Sequence, residues 1–309
     1  MSAPNCLFKV GIVGCGKVGM SAAFAMFLDG TATELVLYGR ALTKVQGEKF
    51  DLDHALPFVD TTDITATDRL EDLAGCHIIV YAAGASQKPG ETRLDLCNNN
   101  RAILEKTLPE IHKHAPNAII LIVANPVDVL VYHAHQILPD AKGRIFGSGT
   151  TLDTARFRFH LAEALKLNSR SIHAYVLGEH GDASFPVYEH STIGGRKMMS
   201  FDGITEEVVL DAYQKARDAA YKIIETKGAT YYAIGVVIKT IVKQILTDAR
   251  SVMPLSVPLE NYHGHSGVAL SVPCILGING VDRVIEAELS EKEKEGLAHA
   301  VETLKGFCG

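Results

Sequence analysis

The sequence lacks a long hydrophobic run, an excess of basic residues and any Cys-x-x-Cys pair. No apolar run approaches the roughly 20 residues that a membrane-spanning helix needs, and the N-terminus has no charged segment followed by the apolar core of a secretory leader. The formal net charge of −6 offers no basic surface to nucleic acid. The six cysteines are scattered, which predicts inert thiols in a reducing compartment and neither a disulfide framework nor a zinc site. We therefore expect a cytoplasmic protein that binds neither membranes nor nucleic acid.

The first half of the sequence contains a regular alternation of strands and helices. The chain has 309 residues, of which 47% are hydrophobic, so it is long enough for one large or two ordinary domains. Strands are predicted at 8–13, 34–38, 77–82, 119–123 and 144–146. Helices are predicted at 20–29, 41–54, 98–114 and 127–138. Apolar strands that alternate with helices are typical of a doubly wound parallel sheet, so the predicted fold class is α/β.

The second half has a different pattern. A further helix, opened by Ser148-Gly149-Thr150 and running to about Leu165, marks the junction, which divides the chain into domains 1–147 and 148–309. After it the sequence predicts strands at 171–176, 251–258 and 268–276, and helices at 205–227 and 229–249. A last helix begins at Ser290, with Glu293 as the partner in a capping box. We therefore expect an α+β domain after the parallel sheet.

The motif Gly14-x-Gly16-x-x-Gly19 follows the first predicted strand and leads into the first predicted helix. In that context Gly14 permits a tight turn, Gly16 lets the backbone approach phosphates, and Gly19 lets the helix pack closely on the strand. The free N–H groups of a helix N-terminus favour a bound anion. The motif favours a dinucleotide pyrophosphate site over a plain glycine turn.

His180 lies in a glycine-flanked turn after a predicted strand, where a side chain can face a cleft. A lone histidine is more often structural, but a hydride-transfer site needs a proton donor and acceptor that titrates near neutral pH. Asp153 and Arg156 are three residues apart on a helix and share a face, as an ordinary ion pair also would. The functional interpretation is that Asp153 holds the His180 imidazole while Arg156 binds a substrate carboxylate through two parallel hydrogen bonds.

Three further groups have open interpretations. Arg158 lies two residues beyond Arg156 and points elsewhere, and His173 precedes His180 by an odd number of positions; both are either solvated surface groups or a second anion site. The segment 84–93 follows a strand end and is bracketed by glycines and a proline, as in a lid. Its Arg93 is either a loop arginine or a group that polarises a carbonyl on closure.

These residues together resemble the lactate and malate dehydrogenase family, and within it the bacterial L-lactate dehydrogenases. The resemblance runs along almost the whole chain. The matching stretches are Gly14-x-Gly16-x-x-Gly19, Gln87-Lys88-Pro89-Gly90-Glu91-Thr92-Arg93, Ala124-Asn125-Pro126-Val127-Asp128, Gly149-Thr150-x-Leu152-Asp153-Thr154-Ala155-Arg156, Gly178-Glu179-His180-Gly181-Asp182 and Gly228-Ala229-Thr230-Tyr231-Tyr232. Each stretch is short, but their order and spacing are highly specific.

The resemblance implies a Rossmann-type domain and reversible reduction of pyruvate to L-lactate with NAD. His180 would exchange the proton, Asp153 would orient His180, and Arg93 would polarise the carbonyl. Arg156 would bind the carboxylate. Asn125 would hydrogen-bond the substrate and help place the nicotinamide, and Thr230 would line the pocket. The coenzyme would contact Gly14, Gly16, Val18, Gly19, Gly39, Arg40, Ala83, Gly84, Val123, Asn125 and Ile234.

Substrate choice and regulation are implied in the same way. Malate dehydrogenases have an arginine at the position of Gln87, and a neutral glutamine would leave a second carboxylate unpaired in a closed site, which favours pyruvate over oxaloacetate. In bacterial members, positions matching Arg158 and His173 bind fructose 1,6-bisphosphate across a subunit interface. The resemblance thus implies that fructose 1,6-bisphosphate activates the protein and that the protein is a homotetramer. The long N-terminal arm of vertebrate members is expected to be absent.

The sequence departs from the family at the end of the second predicted strand. Family members normally have an aspartate there that binds the adenosine ribose, whereas this chain has Gly39 followed by Arg40. Loss of the carboxylate removes a repulsion against a 2′-phosphate, with which Arg40 could pair, so NADP use becomes possible. The alternative is weaker NAD binding with Arg40 in solvent.

The sequence therefore predicts an L-2-hydroxy acid dehydrogenase that acts on lactate. The rival enzymes are a malate dehydrogenase or a dehydrogenase for another 2-keto acid. A dinucleotide-binding sensor without catalysis is a different class of hypothesis, which the complete set of His180, Asp153, Arg156 and Arg93 disfavours.

Overall fold

A computed structural model of the protein describes residues 8–85 and 93–308, with Arg93 and Cys308 described by their backbone alone. The first half contains strands β1 (Lys9–Val13), β2 (Glu34–Tyr38), β3 (Asp63–Thr67), β4 (Ile78–Tyr81), β5 (Ile119–Ile122) and β6 (Ile145–Gly147). Its helices are α1 (Lys17–Asp29), α2 (Leu42–Ala55), α3 (Arg93–His114), α4 (Val127–Ile137) and α5 (Thr151–Leu165). The six strands are parallel in the order β3-β2-β1-β4-β5-β6, which confirms the doubly wound, Rossmann-type sheet.

The second half continues the same sheet with antiparallel strands. These are β7 (Ile172–Gly178), β8 (Ser184–Ile193), β9 (Arg196–Lys197), β10 (Ser251–Pro258), β11 (Ala269–Gly277) and β12 (Gly280–Val284). Its helices are α6 (Glu206–Lys227), α7 (Tyr232–Leu246) and α8 (Glu291–Cys308). The two parts of the sheet meet where Gly147 of β6 pairs with Ser256 of β10. The predicted α+β character of this half is confirmed.

Strand burial on both faces explains the apolar runs of the parallel sheet. Along β1, β2 and β4 alternate side chains enter two different clusters. Ile12, Leu37 and Val80 pack on one face, and Val13, Val36 and Ile79 pack on the other. With both faces covered, the carboxyl edge of these strands is left to carry ligands.

Some predicted boundaries were wrong. The first helix begins at Lys17 and not at residue 20, because Met20 N–H already bonds to the carbonyl of Gly16. The helix predicted from 98 begins at Arg93. Strands β3, β8, β9 and β12 were not predicted. β3 reads Asp-Ile-Thr-Ala-Thr and lies at the sheet edge, so it has no continuous apolar run.

No helix in the described part of the chain combines the length and apolar character needed to cross a membrane.

Candidate active site

The glycine motif forms a tight loop at the carboxyl edge of β1. Gly14 has a φ of +105°, and a Cβ there would lie 2.6 Å from the backbone nitrogen of Ala83. A Cβ on Gly19 would lie 2.1 Å from the carbonyl oxygen of Gly14, so α1 approaches this loop as closely as only glycine allows. The local roles predicted for both residues agree with this geometry.

Gly16 faces open space, since a Cβ there would have no described heavy atom within 4 Å. No side chain in the described residues caps the N-terminus of α1, and its first turn carries no acidic residue. The first N–H groups of a helix have no partner within it, so this loop offers donors and room to an anion. The chain thus fits the pyrophosphate of a dinucleotide at this point.

The other predicted coenzyme residues follow neighbouring strand ends on the same edge. Gly39 and Arg40 follow β2, Ala83 and Gly84 follow β4, and Val123 and Asn125 follow β5. Val18 lies in the first turn of α1 and Ile234 in the first turn of α7. Helix α7 packs tightly on α1, where a Cβ on Gly235 would lie 2.8 Å from Ser21. The fold therefore gathers these segments at one edge of the sheet.

A histidine–carboxylate pair lies between the turn after β7 and helix α5. His180 Nδ1 donates to Asp153 Oδ2 at 2.7 Å, and their side chains are 28% and 17% exposed. Burial would lower the pKa of His180, but the charge and hydrogen bond of Asp153 outweigh it and raise the pKa to about 9. Burial would raise the pKa of Asp153, but the neighbouring imidazolium and guanidinium hold it below its ordinary value. The pair is therefore an imidazolium–carboxylate couple at neutral pH.

Arg156 has an incomplete set of hydrogen bonds beside this pair. Its Nη1 donates to Asp153 Oδ1 at 3.2 Å, and its side chain is 11% exposed. Its Nη2 is buried without a hydrogen-bond partner among the described residues. A buried donor without a partner is costly, and a planar guanidinium is matched by a carboxylate. This atom indicates where an anionic ligand group would bind.

The three residues line one cavity of about 190 Å³. Its far wall belongs to α6, which the sequence had predicted only as a helix over 205–227. The α6 residues at the cavity are Tyr213, Ala216, Arg217, Ala220, Tyr221 and Ile224. Arg217 supplies a second guanidinium. Tyr213, Arg217 and Tyr221 are four residues apart along α6, and this spacing could have indicated that they share one polar face of the helix.

Asp128 is a second carboxylate at His180 that the sequence analysis did not single out. It is 2% exposed, and its Oδ2 accepts the backbone N–H of His180 at 2.7 Å while its Oδ1 accepts the Ser256 hydroxyl at 2.6 Å. Burial raises the pKa of Asp128 to about 6, although both hydrogen bonds favour its ionised form.

Asn100 was also missed. It is 2% exposed, its Oδ1 accepts Ala85 N–H at 2.6 Å, and its Nδ2 donates to the Asn125 carbonyl at 2.7 Å. It thereby joins the loops that follow β4 and β5. The run Asn98-Asn99-Asn100 inside a helix was the available signal, because asparagine is a poor helix former.

Several predicted residues are not placed at this cavity by the described part of the chain. Asn125 and Thr230 are not among the residues that line the cavity, and Gln87 and the Arg93 side chain lie outside the described residues. Arg158 points away from it, with Nε donating to the Ala174 carbonyl at 2.7 Å and the guanidinium 5.0 Å from the Tyr175 ring centre. His173, next to Ala174, is exposed.

A larger cavity of about 670 Å³ lies beside the amino end of β6 and is lined by His135, Lys142 and Tyr262 among others. It contains none of the predicted site residues, and Lys142 is paired there with Glu260 at 2.6 Å. Volume alone does not make it the reactive site, because parallel sheets bind ligands at the opposite edge.

Family models match nearly the whole chain. The model described as "lactate/malate dehydrogenase, NAD binding domain" matches residues 8–147. The model described as "lactate/malate dehydrogenase, alpha/beta C-terminal domain" matches residues 150–307.

Individual relatives agree with the family models. L-lactate dehydrogenase 1 of Clostridium acetobutylicum is 40% identical over 305 residues, which cover 96% of each chain. L-lactate dehydrogenase of Priestia megaterium is 42% identical over 301 residues, which cover 96% of this chain and 94% of the relative. A solved lactate dehydrogenase from a Medee basin deep-sea metagenome library superposes with a TM-score of 0.93 at 38% identity, over 97% of each chain. A solved minor L-lactate dehydrogenase from Enterococcus mundtii gives the same TM-score at 36% identity, again over 97% of each chain. This chain belongs to the lactate/malate dehydrogenase family.

Proposed function

We propose that the protein is an L-lactate dehydrogenase, which interconverts pyruvate and L-lactate with a nicotinamide dinucleotide. The observation that carries the proposal is the cavity in which His180, Asp153 and Arg156 meet. The names of the relatives at about 40% identity support the same substrates. Within the proposal, residues 1–147 bind the coenzyme and residues 148–309 supply most of the substrate site.

His180 moves the proton. Asp153 engages Nδ1, so Nε2 is the nitrogen left for the substrate. With a pKa of about 9 the ring is protonated at neutral pH, and it donates its proton to the carbonyl oxygen of pyruvate as the hydroxyl of lactate forms. In the reverse direction the neutral ring accepts that proton, and Asp153 stabilises the imidazolium that results.

Arg156 binds the substrate carboxylate. Its free Nη2 and the rest of its fork can give two parallel hydrogen bonds to a planar carboxylate in a site with little water. Binding there fixes the carbonyl carbon of the 2-keto acid at a set distance from His180.

A bound nicotinamide dinucleotide supplies or accepts the hydride. Gly14, Gly16 and Gly19 make room for its pyrophosphate, and the N-terminus of α1 donates hydrogen bonds to it. Asn125, Thr230 and Ile234 are proposed to place the nicotinamide and the substrate, and Arg93 to polarise the carbonyl. Gln87 is proposed to select pyruvate, because a second carboxylate would have no cation to pair with.

The end of β2 is proposed to relax the choice between NAD and NADP. Arg40 is exposed, and no carboxylate stands at Gly39, where a Cβ would lie 2.7 Å from Val45 Cγ2. Because α2 comes so close, an aspartate at Gly39 would force Val45 to move. The position therefore offers an adenosine 2′-phosphate a cation without a repelling charge.

Regulation by fructose 1,6-bisphosphate in a homotetramer is the remaining part of the proposal. Arg158 bonds to the carbonyl of Ala174, so it lies beside His173 at one end of β7. Arg158 and His173 would together supply the guanidinium and the imidazole that hold a phosphate at this place, away from the cavity.

One kinetic matrix tests these assignments, with pyruvate and oxaloacetate, NADH and NADPH, each with and without the bisphosphate. We expect kcat/KM for pyruvate to exceed that for oxaloacetate, and Gln87→Arg to shift the preference towards oxaloacetate. Unchanged relative kcat/KM in Gln87→Arg would contradict the role of Gln87. No turnover of any 2-keto acid despite coenzyme binding would instead support a dinucleotide sensor.

The same matrix tests the coenzyme and the activator. We expect NADPH to be used, and Arg40→Ala to lower kcat/KM for NADPH more than for NADH. The matched control is Arg196→Ala on β9, an exposed arginine far from β2. A strong NADH preference that Arg40→Ala leaves unchanged would contradict the coenzyme proposal. Fructose 1,6-bisphosphate should lower the KM for pyruvate or stabilise the tetramer. If it changes neither, Arg158 and His173 are ordinary surface groups and not an activator site.

A further inference from the structure

Asp128 connects the two halves of the site. It lies in the first turn of α4, three residues after Asn125, which follows β5. Its two oxygens accept from the His180 backbone, which follows β7, and from the side chain of Ser256 on β10. One carboxylate thus joins an element of the parallel half to two elements of the antiparallel half.

Burial strengthens the two hydrogen bonds that Asp128 accepts. Asp128 is 2% exposed and Ser256 fully buried, so water does not compete for either hydrogen bond. A hydrogen bond to an ionised acceptor is shorter and stronger than one between neutral groups. Ser256 also pairs with Gly147 across the line where the two parts of the sheet meet.

We propose that Asp128 is a positioning residue for His180: its carboxylate holds the His180 turn against the strand end that carries Asn125, and so keeps the proton donor in register with the coenzyme edge. This inference rests on the proposed function. Asp153 fixes the ring through Nδ1, whereas Asp128 fixes the main chain from which the ring projects. Two carboxylates from different helices therefore define where Nε2 stands.

Asp128 also acts on the charge of His180. Its negative charge is one of the influences that raise the pKa of His180. Among the described residues, the other charged or titratable groups around the ring are Asp153 and Arg156 on α5, Glu179 and Asp182 in its own turn, and Tyr213, Arg217 and Tyr221 on α6. Loss of the Asp128 charge alone should therefore lower the pKa of His180 while Asp153 still holds it up.

Two substitutions separate position from charge. Asp128→Ala removes both acceptor oxygens, and because a misplacement of about 1 Å costs about 100-fold, kcat for pyruvate reduction should fall by about that factor. The KM for NADH should change much less, since both oxygens of Asp128 are engaged by His180 and Ser256. In Asp128→Asn the side-chain oxygen can still accept from His180 N–H, and the NH2 group can donate to the hydroxyl oxygen of Ser256. This variant should therefore retain most of kcat. The high-pH limb of its kcat/KM profile should move to lower pH.

A matched control removes a buried carboxylate elsewhere. Glu293 is 3% exposed and accepts backbone N–H groups of Tyr188 and Ser290, where it caps α8. Glu293→Ala should lower stability yet leave kcat and the pH profile of the folded enzyme unchanged. A kcat for Asp128→Ala within about threefold of that for Glu293→Ala would overturn the positioning role.

A readout without turnover keeps the two proposals apart. The His180 ring is titrated by NMR in the wild type and in Asp128→Asn, with its signal identified by its loss in His180→Asn. A lower pKa in Asp128→Asn shows that the Asp128 charge acts on His180 even if Asp128→Ala does not fold, and an unchanged pKa overturns that part of the inference. Absence of pyruvate turnover in the wild type would overturn the proposed function, while the titration would still decide what Asp128 does to His180.

Discussion

At the scale of single residues, Arg156 gives the strongest indication of a ligand. One side of its guanidinium is held by Asp153 and the other has no partner among the described residues. In the proposed function a substrate carboxylate completes this arrangement, because it would accept the hydrogen bonds that the buried Nη2 otherwise lacks.

Arg156→Lys tests this assignment. An ammonium cannot give two parallel hydrogen bonds, and breaking a buried, hydrogen-bonded charge pair costs about 2–5 kcal/mol. We expect kcat/KM for pyruvate to fall by about 100-fold or more. The matched control, Arg170→Lys, changes an exposed arginine outside the cavity and should leave kcat/KM unchanged. Equal effects of the two substitutions on kcat/KM would show that Arg156 does not bind the substrate carboxylate.

Asp153→Asn tests the histidine couple. Without the carboxylate, burial is the dominant influence on His180 and its pKa should fall from about 9, by about one unit or more. Pyruvate reduction needs the protonated ring, so its decline with rising pH should begin at lower pH. The measurement is kcat/KM for pyruvate against pH in both proteins. A decline at the same pH would show that Asp153 does not set the protonation of His180.

The sequence allowed part of the site to be predicted at this scale. His180, Asp153 and Arg156 were accessible because a turn after a strand and a three-residue helical spacing place side chains locally. Asp128 and Asn100 were not, because neither lies at a spacing or in a turn that marks chemistry, and their contacts with His180 and Asn125 form only in the folded sheet.

At the scale of elements, the loop between β1 and α1 depends on a close backbone contact that only glycine permits. Gly19 lies inside α1, where glycine weakens a helix, and its value is the close approach to Gly14. A glycine-to-alanine substitution at Gly19 should therefore lower stability, whereas the same substitution in a helix without such a contact should raise it.

Gly19→Ala and Gly47→Ala form this matched pair. A Cβ on Gly19 would lie 2.1 Å from Gly14 O, so α1 must move, at a cost of about 1–3 kcal/mol. A Cβ on Gly47 in α2 meets nothing described within 4 Å, so alanine should stabilise that helix by about 0.5–1 kcal/mol. Thermal unfolding should show a lower Tm for Gly19→Ala only, together with weaker NADH binding. A lower Tm for both would contradict this account.

Elements were predictable where the chain is buried on both faces. The five predicted strands of the first half were mostly continuous apolar runs, and all five are found. β8 escaped prediction because its sequence, SFPVYEHSTI, mixes proline and polar residues with apolar ones. Its stability comes from pairing with β7 and from packing, which local sequence does not reveal.

At the scale of the whole molecule, the site is assembled from two halves that share one sheet. The proposed coenzyme edge comes from β1, β2, β4 and β5, while Asp153, Arg156 and His180 come from α5 and the turn after β7. Asp128 and Ser256 tie these parts together beside the β6–β10 pairing. The strand order was inferable from the βα pattern, whereas this junction was not, because it depends on one residue pair between distant strands.

In the proposed mechanism one histidine, kept protonated by carboxylates that water hardly reaches, exchanges the proton in both directions. The most direct test is kcat/KM for pyruvate and for L-lactate against pH, at saturating coenzyme. We predict that pyruvate reduction falls above about pH 9 and that lactate oxidation rises until about pH 9, with both limbs set by the pKa of His180. Limbs near the ordinary histidine pKa of about 6.5, or parallel profiles in the two directions, would contradict the account.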